Sequence, residues 1–138
     1  MRADATFEVV NFIPAALDVE PTITTALPVG MATLLKTYRG EVSGRSTTIF
    51  TSAFDQSAGT GTYVALESFE GSLHGQAGAF NFVHSASTGG SDRSEEFFLI
   101  VPSSGTAELF GITGRGGLAI DADGTHRIWF EYDLPPAQ

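Results

Sequence analysis

The residues best suited to chemistry are a phenol, a carboxylic acid and an imidazole, namely Tyr63, Glu67 and His84. A His74-Gly75 dipeptide lies between the acid and the imidazole, and glycine suits the positive φ angle of a two-residue hairpin turn. The segments on either side are therefore predicted to pair as antiparallel strands. A carboxylate held against Phe rings loses hydration, so its pKa is expected to rise towards the range of a general acid or base.

The predicted hairpin places these groups on one face. With a two-residue loop Glu67 faces Phe82, and with a four-residue loop it faces Phe80. Because side chains alternate along a strand, both registers leave the same six residues on one face. They are Tyr63, Glu67, Phe69, Phe80, Phe82 and His84. Tyr63 and Glu67 lie about 13 Å apart along the strand, so they can line two levels of a cavity but cannot form a dyad themselves.

Sequence alone leaves open which face points inward. Glu67 and His84 either line the interior or face solvent, in which case Val64 and Leu66 fill the core. The last strand has one row formed by His126, Ile128, Phe130 and Tyr132 and a second formed by Arg127, Trp129, Glu131 and Asp133. An inward Trp129 would suit stacking on a flat ligand, whereas an exposed one would need a partner surface.

Several familiar site signatures are missing. The histidines at positions 74, 84 and 126 are isolated and form no zinc-binding helical pair. Lys36 follows no phosphate-binding loop, and Gly114-Arg-Gly-Gly opens no predicted helix, so it is interpreted as a strand junction. Asp121-Ala-Asp-Gly resembles the start of a calcium loop, but Tyr132 stands where a bidentate Glu is required. With no cysteine in the chain, thiolate sites and disulfides are excluded, and we expect no metal and no cofactor.

The charge balance also excludes classes of partner. Sixteen Asp and Glu against seven Lys and Arg give a net charge of −9. Such a chain repels polyanions, so we expect no nucleic-acid binding and no attachment to an anionic membrane. The N-terminal residues are charged where a signal peptide needs an apolar run, and no segment reaches membrane-spanning length. A cytoplasmic location is the expectation.

Glycine and proline divide the 138 residues into short β-type runs, and residues 1–138 are predicted to form one domain. A long connection with three prolines is predicted from Ile13 to Gly30, and a second two-residue hairpin turn at Asp123-Gly124. The pattern predicts an all-β antiparallel barrel of about eight strands with little helix. The predicted strands cover residues 5–12, 31–39, 47–54, 62–69, 77–85, 95–101, 106–112, 118–121 and 127–134.

Five segments, in order, carry a resemblance to a known family. They are Ala5-Thr-Phe-Glu-Val, Tyr63-x-Ala-x-Glu67, Gly78-x-Phe80-x-Phe-x-His84, Ser104-Gly-Thr-x-Glu-Leu109 and His126-x-x-x-Phe-x-Tyr132-x-Leu134. Together they resemble the bacterial family catalogued as domain of unknown function 3224. That family is similar in fold to the allene oxide cyclase barrels, a lipocalin-like architecture, which implies eight antiparallel strands around a cavity but no particular reaction. The resemblance places the family's recurring Tyr, Glu and His on Tyr63, Glu67 and His84.

Three functions follow as hypotheses. The leading one is a barrel that binds an apolar or aromatic small molecule in its lumen. An isomerase or cyclase would use Glu67 as acid or base and His84 to orient it. A structural or homo-oligomeric module would pair its sheets through exposed aromatic residues. The residues expected to contact a ligand are Tyr63, Glu67, Phe80, Phe82, His84 and Trp129.

Overall fold

Eight antiparallel strands follow one another around a closed ring. The computed structural model describes residues 1–90 and 92–136. Each strand pairs with the next in the chain, and β1 pairs with β8 to close the ring. The strands are β1 (Arg2–Ala15), β2 (Val29–Gly40), β3 (Val42–Asp55), β4 (Thr60–Leu73), β5 (Gln76–Gly89), β6 (Arg93–Ile100), β7 (Thr113–Ile120) and β8 (His126–Asp133). The prediction of an all-β antiparallel barrel with little helix is confirmed.

The predicted β4–β5 hairpin forms, and the structure shows which of its faces points inward. His74 and Gly75 form the two-residue turn with φ angles of 48° and 80°, so Leu73 pairs with Gln76. Glu67 therefore faces Phe82, and the row points into the ring. The alternative, in which Val64 and Leu66 fill the core, is wrong because both side chains are about half exposed.

The second hairpin differs from its prediction. Ile120 pairs with His126, so the loop spans five residues, 121–125, and not the two-residue turn predicted at Asp123-Gly124. Asp121 closes the loop instead: its carbonyl oxygen accepts a hydrogen bond from the amide of Gly124 at 2.9 Å. Gly114-Arg-Gly-Gly lies inside β7 and is not a junction.

The segment at 106–112, predicted as a strand, is instead a cap on one end of the ring. It forms a 3₁₀ turn (Ala107–Leu109) and places Leu109 and Ile112, both fully buried, against the core. Its apolar residues have the composition of a strand, but here they cover one end of the ring. Val42 and Leu73 are also fully buried at this end, so the ring is closed there.

The opposite end is open. β1 stays paired with β8 only as far as Phe7 and His126, whereas β1 and β2 continue together to Ala15 and Met31. The connection between them spans residues 16–28, which is shorter than predicted because β1 extends to Ala15. The molecule thus has the form of a cup with a raised lip. None of the described residues forms a helix with the length and hydrophobicity needed to cross a bilayer.

Two glycines let β3 and β4 bend past each other near the closed end. Gly44 pairs with Gly71, and their φ angles are 143° and 155°. A Cβ atom on Gly44 would lie 2.2 Å from the carbonyl oxygen of Glu70. No side chain fits there, which is why the close approach requires glycine.

A weak junction separates β6 from β7. Among the described residues, the pairing between these strands consists of Leu99 with Arg115. Gly116 and Gly117 lie beside it, and the ring of Trp129 fills the space where a Cβ of Gly117 would stand. Side-chain packing therefore replaces much of the hydrogen-bond ladder at this point.

Candidate functional site

Glu67 is the centre of a buried polar network. Its side chain is fully buried, and each carboxylate oxygen accepts two hydrogen bonds. Oε1 accepts from Ser46 Oγ at 2.6 Å and from Tyr38 Oη at 3.1 Å. The Tyr38 hydroxyl also lies 2.6 Å from Ser46 Oγ and shares its one proton between the two oxygens. Oε2 accepts from Lys36 Nζ at 2.7 Å and from His84 Nε2 at 2.5 Å. The acceptor capacity of the carboxylate is therefore filled.

Strand alternation brings these groups together. Lys36 and Tyr38 are two residues apart on β2, so both point inward. Ser46 lies on β3, Glu67 on β4 and His84 on β5, and these four strands are consecutive neighbours in the ring. The network therefore crosses the inner wall of the cup from strand to strand.

The pKa of Glu67 is low, contrary to the expectation from sequence. Burial by itself raises the pKa, but the hydrogen bond from His84 and the charge of Lys36 outweigh it and lower the pKa to about 2. Glu67 is thus an ionised, saturated anchor. Its predicted role as general acid or base finds no support in this geometry, because it has no free lone pair and lines neither of the cavities described below.

The surroundings lower the pKa of His84 and so favour its neutral imidazole. Burial has the largest effect and lowers the pKa. The hydrogen bond and the charge of Glu67 oppose this, and the charges of Lys36 and Arg93 lower the pKa further, so the net shift is downward. A neutral imidazole has one donor and one acceptor nitrogen. Since Nε2 faces the carboxylate of Glu67, we assign the proton there, which leaves Nδ1 to accept a hydrogen bond from Tyr63 Oη at 2.8 Å.

Tyr63 connects this network to open space. Arg93 Nη2 donates a hydrogen bond to Tyr63 Oη at 3.2 Å, and the guanidinium lies 5.6 Å from the ring centre. Arg93 is itself held by Glu96 Oε1 at 2.9 Å. Burial raises the pKa of Tyr63, although Arg93 opposes the rise. His84 thus bridges Tyr63 and Glu67, which are too far apart on β4 to meet directly.

Two cavities meet at this tyrosine. One of about 450 Å³ lies at the open end of the cup, and one of about 220 Å³ lies deeper. Phe50 and Tyr63 line both, with their rings stacked at 5.3 Å. The deeper cavity is walled mainly by apolar side chains. Its polar lining groups are Lys36, Tyr63, His84, Arg93 and His126.

The other residues predicted to contact a ligand lie elsewhere. Phe80 and Phe82 are buried in the core against Phe130 and line neither cavity. Trp129 is on the outer row of β8, because its neighbours Ile128 and Phe130 point inward, and the guanidinium of Arg2 lies 5.2 Å from its ring. The placement of Trp129 among lumenal residues is therefore wrong.

Sequence reasoning missed Lys36, Tyr38, Ser46, Phe50 and Arg93. A signal existed for one of them: Lys36 is the only lysine of the chain, and it alternates with Leu34 and Tyr38 in a row of otherwise apolar or aromatic residues. If the face with Leu34 and Tyr38 points into the core, Lys36 is buried with them. A buried cation requires an anion nearby. Within the described part of the chain, no group of three or more potential metal ligands is found.

The fold and the network define a class: a small antiparallel cup whose inner wall carries a charged hydrogen-bonded network ending at a cavity. The model of the protein family of unknown function DUF3224 matches residues 3–132, and the chain belongs to that family. A crystal structure of a DUF3224 protein of unknown function from Shewanella oneidensis MR-1 is similar, with 29% identity and a TM-score of 0.82. The similarity covers 99% of this chain and 98% of that one. A comparison with curated proteins gives no match.

Proposed function

We propose that the protein binds a small, largely apolar molecule that carries one neutral hydrogen-bonding oxygen. The observation that carries this proposal is the pair of cavities that meet at Phe50 and Tyr63. The larger has the size typical of small-molecule pockets, and the smaller supplies polar groups at its base.

The apolar part of the ligand would lie against the walls near the mouth. Phe12, Phe50 and Phe54 line the outer cavity, and Phe50 and Tyr63 together offer a flat stacked surface. Burial of apolar area on these rings is worth about 25 cal/mol per Å², and an aromatic ligand gains about 0.5–1.5 kcal/mol more from ring contacts. An aromatic or cyclic hydrocarbon body fits this surface.

The oxygen would be held at the base. Lys36 has three N–H donors, one of which is used by Glu67, and Arg93 also lines the deeper cavity. Both cations already have a carboxylate partner, Glu67 for Lys36 and Glu96 for Arg93. Because the local charge is balanced, a neutral carbonyl oxygen suits the site better than a free carboxylate, whose negative charge would be left uncompensated.

The test is binding of a bicyclic aromatic ketone, 2-tetralone, compared with the hydrocarbon tetralin, measured by titration with ligand-observed NMR. We expect saturable binding, tighter for the ketone. Phe50→Ala should weaken binding about fivefold through loss of the stacked ring. Phe110→Ala is the matched control, because it removes an exposed phenyl ring that lines neither cavity. Absence of saturable binding, or equal affinities for the two variants, would refute the proposal.

A further inference from the structure

We propose that Tyr63 is a catalytic base that removes a proton from the carbon beside the carbonyl group of a bound ligand, while His84 accepts the phenolic proton. The inference rests on the proposed function, since it requires a carbonyl compound in the cup. It differs from an isomerase that uses Glu67 as its base, because Tyr63 lines both cavities whereas Glu67 lines neither.

Three groups are linked in series towards the cavity. Tyr63 Oη lies 2.8 Å from His84 Nδ1, and His84 Nε2 lies 2.5 Å from Glu67 Oε2. This is the order of hydroxyl, imidazole and carboxylate that activates hydroxyl groups in hydrolytic enzymes. The carboxylate is fixed by its remaining partners, so it can stabilise an imidazolium without accepting the proton.

Burial disfavours both charges that the transfer creates, because it raises the pKa of Tyr63 and lowers that of His84. A neighbouring group of opposite charge offsets part of this cost at each residue. The imidazolium of His84 would face the carboxylate of Glu67, and the phenolate of Tyr63 would face the guanidinium of Arg93. Lys36 lines the same deeper cavity, and its ammonium can donate to the ligand oxygen where enolate charge develops.

The step conserves atoms and electrons. The phenolic proton of Tyr63 moves to Nδ1 of His84, and the phenolate oxygen takes a proton from the α-carbon of the ligand. The C–H electron pair forms the enolate C=C bond, and the carbonyl π pair moves to the oxygen near Lys36. In D₂O the hydroxyl of Tyr63 exchanges its proton with solvent, so Tyr63 returns a deuteron to the carbon. Return of the imidazolium proton to the phenolate then restores the protein. No oxidant or co-reactant is needed.

Deuterium incorporation into 2-tetralone, followed by ¹H NMR in D₂O, tests the step. We expect the protein to accelerate exchange above the buffer rate with saturation. Tyr63→Phe should lower kcat by about 100-fold or more with little change in KM, since general-base catalysis contributes factors of that size. His84→Gln should also lower kcat, whereas Phe110→Ala should not, because Phe110 is exposed and lines neither cavity. Circular dichroism and thermal melting verify that each variant is folded.

The outcomes separate this inference from the proposed function. Binding without accelerated exchange, or exchange that survives in Tyr63→Phe, overturns the catalytic role and leaves ligand binding intact. No binding of the ketone overturns both. Loss of exchange with retained ketone affinity in Tyr63→Phe supports the inference, because a merely structural tyrosine would change affinity or stability and not kcat alone.

A second inference comes from an independent observation, the outer surface of β3 to β6. Here Ile49, Leu66, Val83 and Leu99 form one row across four paired strands. Of these, Ile49 and Leu66 are 54% and 49% exposed. Phe97 adds an exposed ring beside the row. Contiguous apolar surface of this kind marks an interface. We call this surface, with Val64, the β3–β6 face.

The β3–β6 face carries no charge although the chain as a whole is strongly acidic. Across residues 47–53, 62–69, 79–88 and 97–100 the charged or imidazole-bearing side chains are Glu67 and His84, and both point inward. We infer that the occupant is a second copy of this chain. Two molecules of net charge −9 repel each other elsewhere, but can approach along an uncharged apolar face that both copies present to a two-fold axis.

The area of the β3–β6 face is of the order needed for the centre of a dimer interface. Four strands about 4.8 Å apart and about seven residues long give a flat footprint near 450 Å², before side-chain relief is added. A standard interface buries about 800 Å² on each partner, so the face can form the central part of a two-fold contact.

Light scattering coupled to size-exclusion chromatography tests this interface. We expect the wild type to have twice the 14.5 kDa mass of one chain, and Leu66→Lys to be monomeric at the same concentration. Phe110→Lys is the control, because Phe110 is exposed outside the β3–β6 face, and it should remain dimeric. A monomeric wild type, or a dimer that persists in Leu66→Lys, overturns the inference.

Discussion

Replacement of Glu67 with glutamine should be severely destabilising. The change preserves the shape of the side chain but removes its charge, which leaves the ammonium of Lys36, 2.7 Å away and buried, without a counter-ion. Loss of one partner of a buried ion pair costs about 3–5 kcal/mol. A pKa lowered from 4.5 to about 2 corresponds to a similar stabilisation of about 3 kcal/mol. The free energy of unfolding of a typical domain is about 5–15 kcal/mol, so Glu67→Gln should remove a large fraction of the stability of the protein.

Urea denaturation at pH 7, followed by the fluorescence of Trp129 and by far-UV circular dichroism, measures this loss. The midpoint should fall with an unchanged slope, and the melting temperature should drop by more than about 10 °C. Glu70→Gln is the matched control, because Glu70 pairs with Arg45 on the exposed outer surface, where an ion pair contributes about 1 kcal/mol or less.

The double variant Lys36→Met/Glu67→Gln separates charge from shape. It removes the unpaired cation together with the anion, so part of the stability lost in Glu67→Gln should return. If Glu67→Gln costs no more than Glu70→Gln, or if the double variant is less stable than the single one, the network does not depend on a charged Glu67 and the reasoning is refuted.

Three further predictions concern pH and packing. Folding lowers the pKa of His84 below 6.5 and that of Glu67 below 4.5, so as the pH falls the unfolded chain takes up protons before the folded one. The stability that these two groups contribute is therefore fully present above about pH 6.5. It is lost at lower pH, first through His84 and then, between about pH 4.5 and 2, through Glu67. Denaturation at a series of pH values should show this, and His84→Gln should remove the first part of the loss. Leu109→Ala should cost about 2–5 kcal/mol in urea denaturation by leaving a cavity at the closed end, and a cost below 1 kcal/mol would contradict its role as a plug. Gly44→Ala should destabilise more than Gly75→Ala, measured by thermal melting, because a Cβ at Gly44 meets backbone at 2.2 Å whereas a Cβ at Gly75 meets nothing within 4 Å.

The sequence predicts the hairpin and the set of residues that share one of its faces, because both depend on local rules. His74-Gly75 fixes the register, and alternation then places Glu67 and His84 on one face. Burial of Val64 and Leu66 was an equal alternative at that stage, since the inward direction depends on packing from distant strands. The segment around Leu109 was misassigned because an apolar cap and a strand have the same composition over a few residues.

The chemistry of the site was harder to predict than its position. The raised pKa expected for Glu67 assumed burial among apolar rings, but Lys36 arrives from β2, 31 residues earlier in the chain. The charge of Lys36 helps to reverse the direction of the pKa shift of Glu67. The distance between the two side chains cannot be inferred without the order of the strands. The contact of Tyr63 with Arg93 likewise joins β4 to β6 and follows only from the folded ring.

The junction between β6 and β7 has a consequence for association of partly unfolded chains. Because one residue pair joins these strands in the part of the chain that the structure describes, we expect thermal fluctuations to break the ring there first, while the long ladders from β1 to β5 stay intact. The product would be a curved sheet with two free borders, each a template for a strand from another molecule. Resistance to fibril formation would then depend on the packing of Phe98 and Trp129 over Gly116 and Gly117, more than on the global free energy of folding.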